Sequence, residues 1–170
     1  MAHTRRNDRT SRHSRSWQAI WKSQRVNFST RIARGSDLAT CQELEVEARH
    51  EAREVRGSQE FFATHPDAVM QPPRGTTVVA VADEHCIGFA TLEFVPSDGA
   101  RHALITRMFV TADARQVGVG DALVAAARTT AVEHGCAWLD ALALPGDRAI
   151  KNLYERNGLT ARLLIASTRL

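Results

Sequence analysis

The spacing of apolar residues divides the chain into segments of two periods. Apolar and polar residues alternate over residues 26–33 and again over much of residues 76–110, as they do along a β-strand with one buried face. Over residues 38–55 and 118–134 apolar residues recur every three or four positions, as on one side of an amphipathic helix. The pattern therefore predicts a chain that mixes strands and helices.

Turn residues set the ends of these segments. Gly35-Ser36-Asp37 supplies a turn and an N-cap for the first helix, and Pro145-Gly146-Asp147 caps the last. The pattern predicts strands at 26–33, 76–82, 86–95, 102–110, 138–144 and 159–167, and helices at 38–55, 59–69, 118–134 and 148–157. This order, β-α-α-β-β-β-α-β-α-β, predicts an α/β (α+β) fold with a mixed, mostly antiparallel sheet flanked by helices.

Composition places the chain among soluble proteins with one domain. Its 170 residues are 44% hydrophobic and 24% charged, enough for a single buried core. No apolar run approaches the ~20 residues that span a bilayer, so we expect no membrane partner and a cytoplasmic location. Cys41, Cys86 and Cys136 are odd in number and far apart, which favours free, buried thiols. His134 and Cys136 alone are too few ligands for a metal site, and we expect none.

Basic residues are concentrated at the start of the chain. Residues 1–25 contain seven Lys or Arg and one acid, Asp8, a net charge of +6 that leaves −3 for residues 26–170. Almost nothing apolar precedes Trp17, so we expect a disordered basic tail over 1–25 and one domain over 26–170. Such a tail can bind nucleic acid or act as a transit peptide, but a solvated extension without a role ranks above both.

The stretch from Ile105 to Gly120 joins an apolar strand to a basic turn and a helix start. A helix N-terminus offers unpaired N–H groups and the positive end of the dipole, so this junction predicts an anion site. Gly118 and Gly120 let the backbone approach a phosphate without a Cβ. A P-loop needs Gly-Lys-Ser/Thr, whereas Asp121 follows Gly120 here. A dinucleotide loop needs a βαβ unit and a small residue where Leu123 stands, so both alternatives fail.

Two motifs resemble those of the GCN5-related N-acetyltransferase (GNAT) family. The loop Arg115-Gln116-Val117-Gly118-Val119-Gly120 is similar to the family's Arg/Gln-x-x-Gly-x-Gly/Ala, and it follows a strand and turn that look like the family's. On the helix after the next strand, Leu153-Tyr154-Glu155-Arg156-Asn157-Gly158-Leu159 resembles the family's Leu-Tyr-Glu-x-x-Gly-Phe. The likeness covers about residues 26–170. From Thr76 onward it rests on the motifs, and before Thr76 it rests only on the order of the helices and strands.

The resemblance implies acetyl-CoA, or another acyl-CoA, as the acyl donor. In family terms the backbone of Met108, Phe109 and Val110 would pair with the pantetheine arm as if the arm were a strand. The pyrophosphate would be held by Arg115 and by the N–H groups of the residues that follow it: Gln116, Val117, Gly118, Val119, Gly120 and Asp121. Tyr154, the single tyrosine, would contact the cofactor and donate a hydrogen bond to the departing thiolate.

A general base would help the reaction, because an amine of pKa ~10.4 is almost wholly protonated at pH 7. Glu93 is the first candidate and Asp140 the second, although a carboxylate on a strand is more simply explained by contact with solvent. Asp147 stands where the family has Asn, which leaves any CoA contact at that position open. Leu159 replaces the usual aromatic residue.

The predicted activity is N-acetyl transfer by direct attack of a primary amine within a ternary complex. A small-molecule amine is the first candidate acceptor, and a protein amine or the amine of a charged tRNA is an alternative. A non-catalytic acyl-CoA-binding module is an alternative of another class. A second copy of the chain, as a homodimer, is a further candidate partner. The acceptor site would be built by residues 38–71 and by the loops around Pro96 and Leu144.

Overall fold

The computed structural model describes residues 27–96, 99–166 and 168. The basic tail at 1–25 lies outside these residues, so its disorder stays a prediction. The strands are β1 Phe28–Ile32, β2 Gly75–Ala82, β3 His85–Val95, β4 Arg101–Val110 and β5 Cys136–Ala141. The α-helices are α1 Leu38–Ala52, α2 Ser58–Thr64, α3 Val119–Glu133 and α4 Arg148–Arg156, with short 3-10 turns at Gly35–Asp37 and Ala112–Ala114.

The strands form one five-stranded sheet in chain order, β1-β2-β3-β4-β5. The first four strands are antiparallel neighbours, and β5 is parallel to β4. A parallel neighbour needs a crossover, and α3 provides it between β4 and β5. The expected mixed, mostly antiparallel sheet with flanking helices is confirmed.

The sheet carries a hydrophobic layer on each face. One layer packs α3 and α4 on the sheet, and its largest members include Val78, Leu92, Ile105, Leu123, Val124, Leu153 and Tyr154. The other layer packs Cys41 and Leu44 of α1 against Val79, Phe89 and Phe109. Successive side chains of a strand point to opposite faces, so each inner strand supplies both layers and reads as a nearly continuous apolar run.

The two halves of β4 have different neighbours. Its first half pairs with β5, from Arg101 opposite Cys136 to Ile105 opposite Ala141. A register shift against β3 then leaves Thr106 as an extra residue, as in a β-bulge. From Thr106 to the strand's end, β4 has β3 as its one strand partner among the described residues. The side of β4 that faces β5 is therefore an open sheet edge over this half.

The first helix begins at Leu38, as predicted, but Asp37 does not cap it with its side chain. The Asp37 carboxylate accepts hydrogen bonds from the Arg31 guanidinium at 2.5 and 3.0 Å and from the Arg34 N–H at 2.6 Å. It therefore joins the end of β1 to the start of α1. The second helix ends at Thr64, earlier than the predicted residue 69.

The last predicted strand, at 159–167, is wrong for the residues that the structure describes there. Residues 159–166 have no regular secondary structure, and Leu163, Leu164 and Ile165 are 77–85% exposed. The segment touches β5 through Arg162, which binds Asp140 at 2.6 Å and stacks on Trp138. An apolar run predicts a strand only where a partner edge is available, and this segment makes a side-chain contact instead.

Candidate active site

The loop after β4 leads into α3 through two residues of positive φ. Gln116 has φ +67° and Gly118, the N-cap of α3, has φ +90°. Within the described chain, the N–H groups of Gln116 to Gly120 donate to no backbone carbonyl, and the first helical bond of α3 runs from Ala122 to Gly118. Consecutive free N–H groups at a helix N-terminus form a site that attracts anions.

Gly118 and Gly120 are small for different reasons. A Cβ on Gly118 would meet nothing within 4 Å, so its positive φ is what favours glycine there. A Cβ on Gly120 would lie 3.1 and 3.2 Å from the two methyl carbons of Leu153. Gly120 therefore allows α3 and α4 to pack closely, and this contact places the two sequence motifs side by side.

Asp121 makes a second link between these helices. Its carboxylate accepts hydrogen bonds from Arg156 at 2.7 and 3.0 Å and from the Asn157 amide at 2.7 Å. The hydrogen bond from Arg156 is the main reason why the pKa of Asp121 is lowered. The charge of Asp121 at the start of α3 is thus neutralised by α4.

The Arg115 side chain folds back onto β4 and α1. Its Nε donates to the Val110 carbonyl at 2.8 Å, and its Nη2 pairs with Glu51 of α1 at 2.7 Å. The guanidinium also lies 5.4 Å from the centre of the Phe109 ring. An anion bound in the loop would have to displace the Glu51 carboxylate in order to pair with the Arg115 guanidinium.

The predicted pantetheine strand lies on the open half of β4. Met108, Phe109 and Val110 pair with Ala90, Phe89 and Gly88 of β3, and their other side has no strand partner in the described residues. The side chain of Phe109 faces α1, whereas Met108 and Val110 pack against the core layer that contains Tyr154. The open edge and the loop are therefore continuous along the chain.

Tyr154 lies on α4 and belongs to the hydrophobic layer against which Met108 and Val110 pack. The residue is 6% exposed, and no residue that the structure describes hydrogen-bonds to its hydroxyl. In the described chain, Glu45 Oε2 is the one fully enclosed side-chain nitrogen or oxygen without a hydrogen-bond partner. The Tyr154 hydroxyl, which also lacks a described partner, is therefore not fully enclosed. Burial raises the pKa of Tyr154 well above its ordinary value, with a smaller contribution from the charge of Asp147. The phenol is therefore a protonated donor with a free hydroxyl.

The two candidate bases lie apart from this arrangement. Glu93 alternates with the β3 residues of the Tyr154 layer, so its side chain is on the α1 face, 3.9 Å from Arg74. Asp140 on β5 binds Arg162 at 2.6 Å and lies 3.4 Å from His102. The structure thus brings together the loop, the open edge and Tyr154, and it places Glu93 on the opposite face of the sheet.

A buried ion pair next to the site has no counterpart in the sequence analysis. Arg107, one residue before the predicted pantetheine segment Met108 to Val110, donates to Glu45 of α1 at 3.0 Å, and Arg49 donates to the same oxygen at 2.8 Å. Arg107 also donates to the carbonyls of Thr106 and His65. Helical spacing predicts the contact between Glu45 and Arg49, but no local pattern links either to residue 107.

Aromatic rings enclose this pair. The Arg107 guanidinium lies 4.6 and 4.9 Å from the centres of the Phe61 and Phe62 rings of α2. Burial lowers the pKa of Arg107, and the nearby Glu45 charge opposes that effect. Arg107 therefore ties α1 and α2 to β4 at the point where β4 and β5 part.

The remaining chemical groups give no second centre in the described residues. No group of three or more potential metal ligands is found there, and the three cysteines are free thiols. No helix in the described part is long and apolar enough to cross a membrane.

The family is shown by comparison with known proteins. The model of the acetyltransferase (GNAT) family matches residues 38–159, which is more than half of the chain. This chain belongs to that family and is an acyltransferase. Among proteins of curated function, none matches the chain significantly.

Solved structures share the fold. A ribosomal-protein-alanine N-acetyltransferase from Brucella melitensis biovar Abortus 2308 is 20% identical with a TM-score of 0.66, over 85% of this chain and 99% of that one. A putative acetyltransferase from Agrobacterium tumefaciens str. C58 is 24% identical with a TM-score of 0.65, over 84% and 99%. The aminoglycoside N-acetyltransferase AAC(6')-Iy in complex with CoA is 18% identical with a TM-score of 0.61, over 84% and 100%. At these identities the likeness shows the fold alone.

Proposed function

We propose that the protein transfers the acetyl group of acetyl-CoA to a primary amine of a small molecule. The observation that carries this proposal is the open edge of β4, whose Met108 and Val110 pack against the hydrophobic layer that contains Tyr154 with its unpaired hydroxyl. An extended arm with amide groups can bind such an edge as an added strand. The free N–H groups of Gln116 to Gly120 continue the edge and suit a pyrophosphate.

The residues around this edge fit an acyl-CoA. The backbone of Met108 to Val110 would hold the pantetheine arm, and the loop from Gln116 to Asp121 would hold the pyrophosphate. Arg115 would add charge after exchanging Glu51 for a phosphate. Related structures contain CoA, which supports an acyl-CoA as the donor, and no step in the proposal needs a metal.

When bound, acetyl-CoA supplies the acetyl group as a thioester. Tyr154 donates a hydrogen bond to the sulfur as the C–N bond forms and the C–S bond breaks, and this bond stabilises the charge that develops on the sulfur. Full transfer of the phenol proton to the sulfur is uphill, since a thiol has a pKa of ~8.5 and burial raises the pKa of Tyr154. Tyr154 therefore acts as a hydrogen-bond donor in the transition state.

A small-molecule acceptor and a protein acceptor both occur among proteins of this fold. The printed names of the structural relatives include an aminoglycoside N-acetyltransferase and a ribosomal-protein-alanine N-acetyltransferase. The proposal is tested by measuring release of CoA from acetyl-CoA with a panel of acceptors that covers small amines, polyamines, aminoglycosides and peptides. We expect release of CoA from acetyl-CoA to rise with one of the small amines and not with the peptides.

Tyr154→Phe tests the chemistry in the same assay. Loss of one transition-state donor lowers kcat by about 10²-fold or more, while binding of CoA changes little. If CoA binds the wild type but no acceptor raises its release above background, the proposed activity is wrong.

Gly118→Asp tests the cofactor loop. The new carboxylate would stand among the free N–H groups and repel a pyrophosphate, so CoA binding measured by calorimetry should be lost. Gly99→Asp is the matched control, because Gly99 has φ +91°, open space around it and a place outside the loop. Unchanged CoA affinity in Gly118→Asp would contradict the cofactor assignment.

A further inference from the structure

Asp147 occupies the N-cap of α4 and keeps one carboxylate oxygen free. Its Oδ1 accepts a hydrogen bond from the Ile150 N–H at 3.0 Å, which caps the helix. No group in the described chain donates to Oδ2 or forms an ion pair with the carboxylate. The side chain is half-buried, so Oδ2 is a negative charge available to a ligand.

Tyr154 lies on the same side of α4 as Asp147. Tyr154 is seven positions after Asp147, which is about two helical turns, roughly 10 Å along the axis. Side chains of a helix lean towards its N-terminus, so the phenol points back towards the Asp147 end. Burial is the main cause that raises the pKa of the phenol, and the charge of Asp147 raises it further.

The Tyr154 hydroxyl is an independent sign of a ligand at this place. The ring is buried, yet no described group hydrogen-bonds to the hydroxyl, and the atom is not fully enclosed. Buried polar groups are nearly always paired, so the free hydroxyl of Tyr154, about two turns of α4 from the free carboxylate oxygen of Asp147, marks a position that a ligand fills.

The helical layer on the α1 face reaches the loop that carries Asp147. Gly57, between α1 and α2, would place a Cβ 3.8 Å from the ring of Pro145. Pro145 precedes Asp147 by two residues. A molecule bound between this layer and α4 would therefore meet Asp147.

We propose that Asp147 is the acceptor-binding residue of this site, and that its free Oδ2 holds the ammonium group of a cationic amine beside the Tyr154 hydroxyl. This inference rests on the proposed function. The ammonium gives one proton to water, and the freed nitrogen lone pair then forms the C–N bond. The nitrogen loses a second proton to water as the neutral amide forms. The electron pair of the broken C–S bond leaves on the sulfur, which is protonated from solvent as CoA is released. Asp147 binds the amine and takes no part in bond breaking.

The single tyrosine of the chain provides a direct probe. Replacement of tyrosine by fluorotyrosine in the full-length protein gives one 19F signal, from residue 154. With CoA present, we expect putrescine to shift this signal in a saturable way, whereas uncharged butanediol leaves it unchanged. Equal shifts with the two probes, or no shift with putrescine, would overturn the proposal.

Asp147→Asn isolates the charge, because Asn and Asp are equally good N-caps. We expect putrescine to bind this variant up to about fivefold more weakly, the effect of losing one partly exposed charge pair. Asp147→Glu should recover part of the affinity. Glu155→Gln removes an exposed carboxylate next to Tyr154 and should change nothing. Unchanged putrescine affinity in Asp147→Asn would refute the role of Asp147.

Two readouts separate this inference from the proposed function. With the acceptor that the panel identifies, Asp147→Asn should raise KM for the amine with kcat nearly constant, as expected for loss of ground-state binding. CoA binding to the same variant should stay at the wild-type level. If the wild type does not bind CoA, the proposed function fails; if it binds CoA but Asp147→Asn lowers kcat alone, the acceptor role of Asp147 fails.

Discussion

At the residue scale, two glycines of one loop answer different physical demands. Gly118 needs a positive φ, and Gly120 needs room for the Leu153 side chain of α4. The glycine spacing suggests one purpose, close approach of a phosphate, but a packing contact between helices accounts for the second glycine as well. Arg115, which the resemblance assigns to a pyrophosphate, pairs with the Glu51 carboxylate of α1.

Glu51→Gln should strengthen CoA binding. The substitution removes the carboxylate that holds Arg115 at 2.7 Å, so the guanidinium becomes free to approach a phosphate. Exposed ion pairs contribute roughly 0.2–1 kcal/mol, which predicts an affinity up to about fivefold higher, measured by calorimetry at low salt.

Glu54→Gln is the matched control for this change. Glu54 pairs with Arg53 at 3.4 Å on the exposed end of the same region, so CoA affinity should not change. A Glu51→Gln variant that binds CoA no better than Glu54→Gln would show that Arg115 is not a phosphate ligand.

At the scale of the elements, the site depends on where β4 stops pairing with β5. The register shift at Thr106 coincides with the end of the ladder between β4 and β5, and Arg107 follows directly. The guanidinium of Arg107 binds α1 through Glu45 and contacts the rings of α2. One buried side chain thus connects α1 and α2 to the strand that would hold the acyl donor.

Arg107→Ala should destabilise the fold strongly. Removing the buried partner leaves Glu45 paired only with the more exposed Arg49 among the described residues, at a cost towards the lower end of about 3–5 kcal/mol in the free energy of unfolding measured with urea. Arg53→Ala, which breaks an exposed pair, should stay within about 0.5 kcal/mol of the wild type.

The double variant Glu45→Met with Arg107→Met completes the cycle. Because neither charge is then left alone in the core, the double variant should be more stable than Glu45→Met or Arg107→Met alone. A single Arg107 variant that loses less than about 1 kcal/mol would mean that the pair does not hold the two layers together.

At the scale of the whole molecule, ion pairs join elements that are distant in the chain. Asp37 links β1 to α1, and Asp121 links α3 to α4. The hydrogen bond from Arg31 is the largest cause that lowers the pKa of Asp37 to about 2, and the pKa of Asp121 is lowered in the same direction by Arg156. The free energy of unfolding should therefore fall as the pH is lowered into the range where these carboxylates take up protons.

The stability contributed by Asp37 should be lost below about pH 4. Its carboxylate has a lower pKa in the folded than in the unfolded chain, so the contribution is present above the unfolded value of ~3.9 and disappears as the pH falls towards 2. Asp37→Asn should remove on the order of 1 kcal/mol at pH 7 and almost nothing at pH 2, measured by urea unfolding across this range.

Arg31→Gln provides the test of cause. In this background the guanidinium is absent, so Asp37→Asn should have a much smaller effect at pH 7. An undiminished effect would show that the Arg34 N–H, and not Arg31, is the source of the stabilisation.

Local patterns were sufficient for most of the fold. The alternation over residues 76–110 and the helical spacing over residues 118–134 show which face of each element is buried. Both patterns are formed by residues that are close together in the sequence. The strand expected at 159–167 failed because a strand also needs a partner edge, which no local pattern supplies. The role of Glu45 and Arg49 was incomplete for a related reason: these charged residues of α1 serve a tertiary contact as well as a solvated face.

The sequence by itself determined the family, the order of the elements up to α4, the glycine-containing loop before α3 and the tyrosine on α4, because each depends on residues close together in the chain. Tertiary structure alone decided the rest of the site. It opened the edge of β4, placed Glu93 on the face opposite Tyr154, buried Arg107 against Glu45 and left Asp147 with a free oxygen near the phenol. These features join residues far apart in sequence, and their partners are chosen by packing and charge once the sheet has formed.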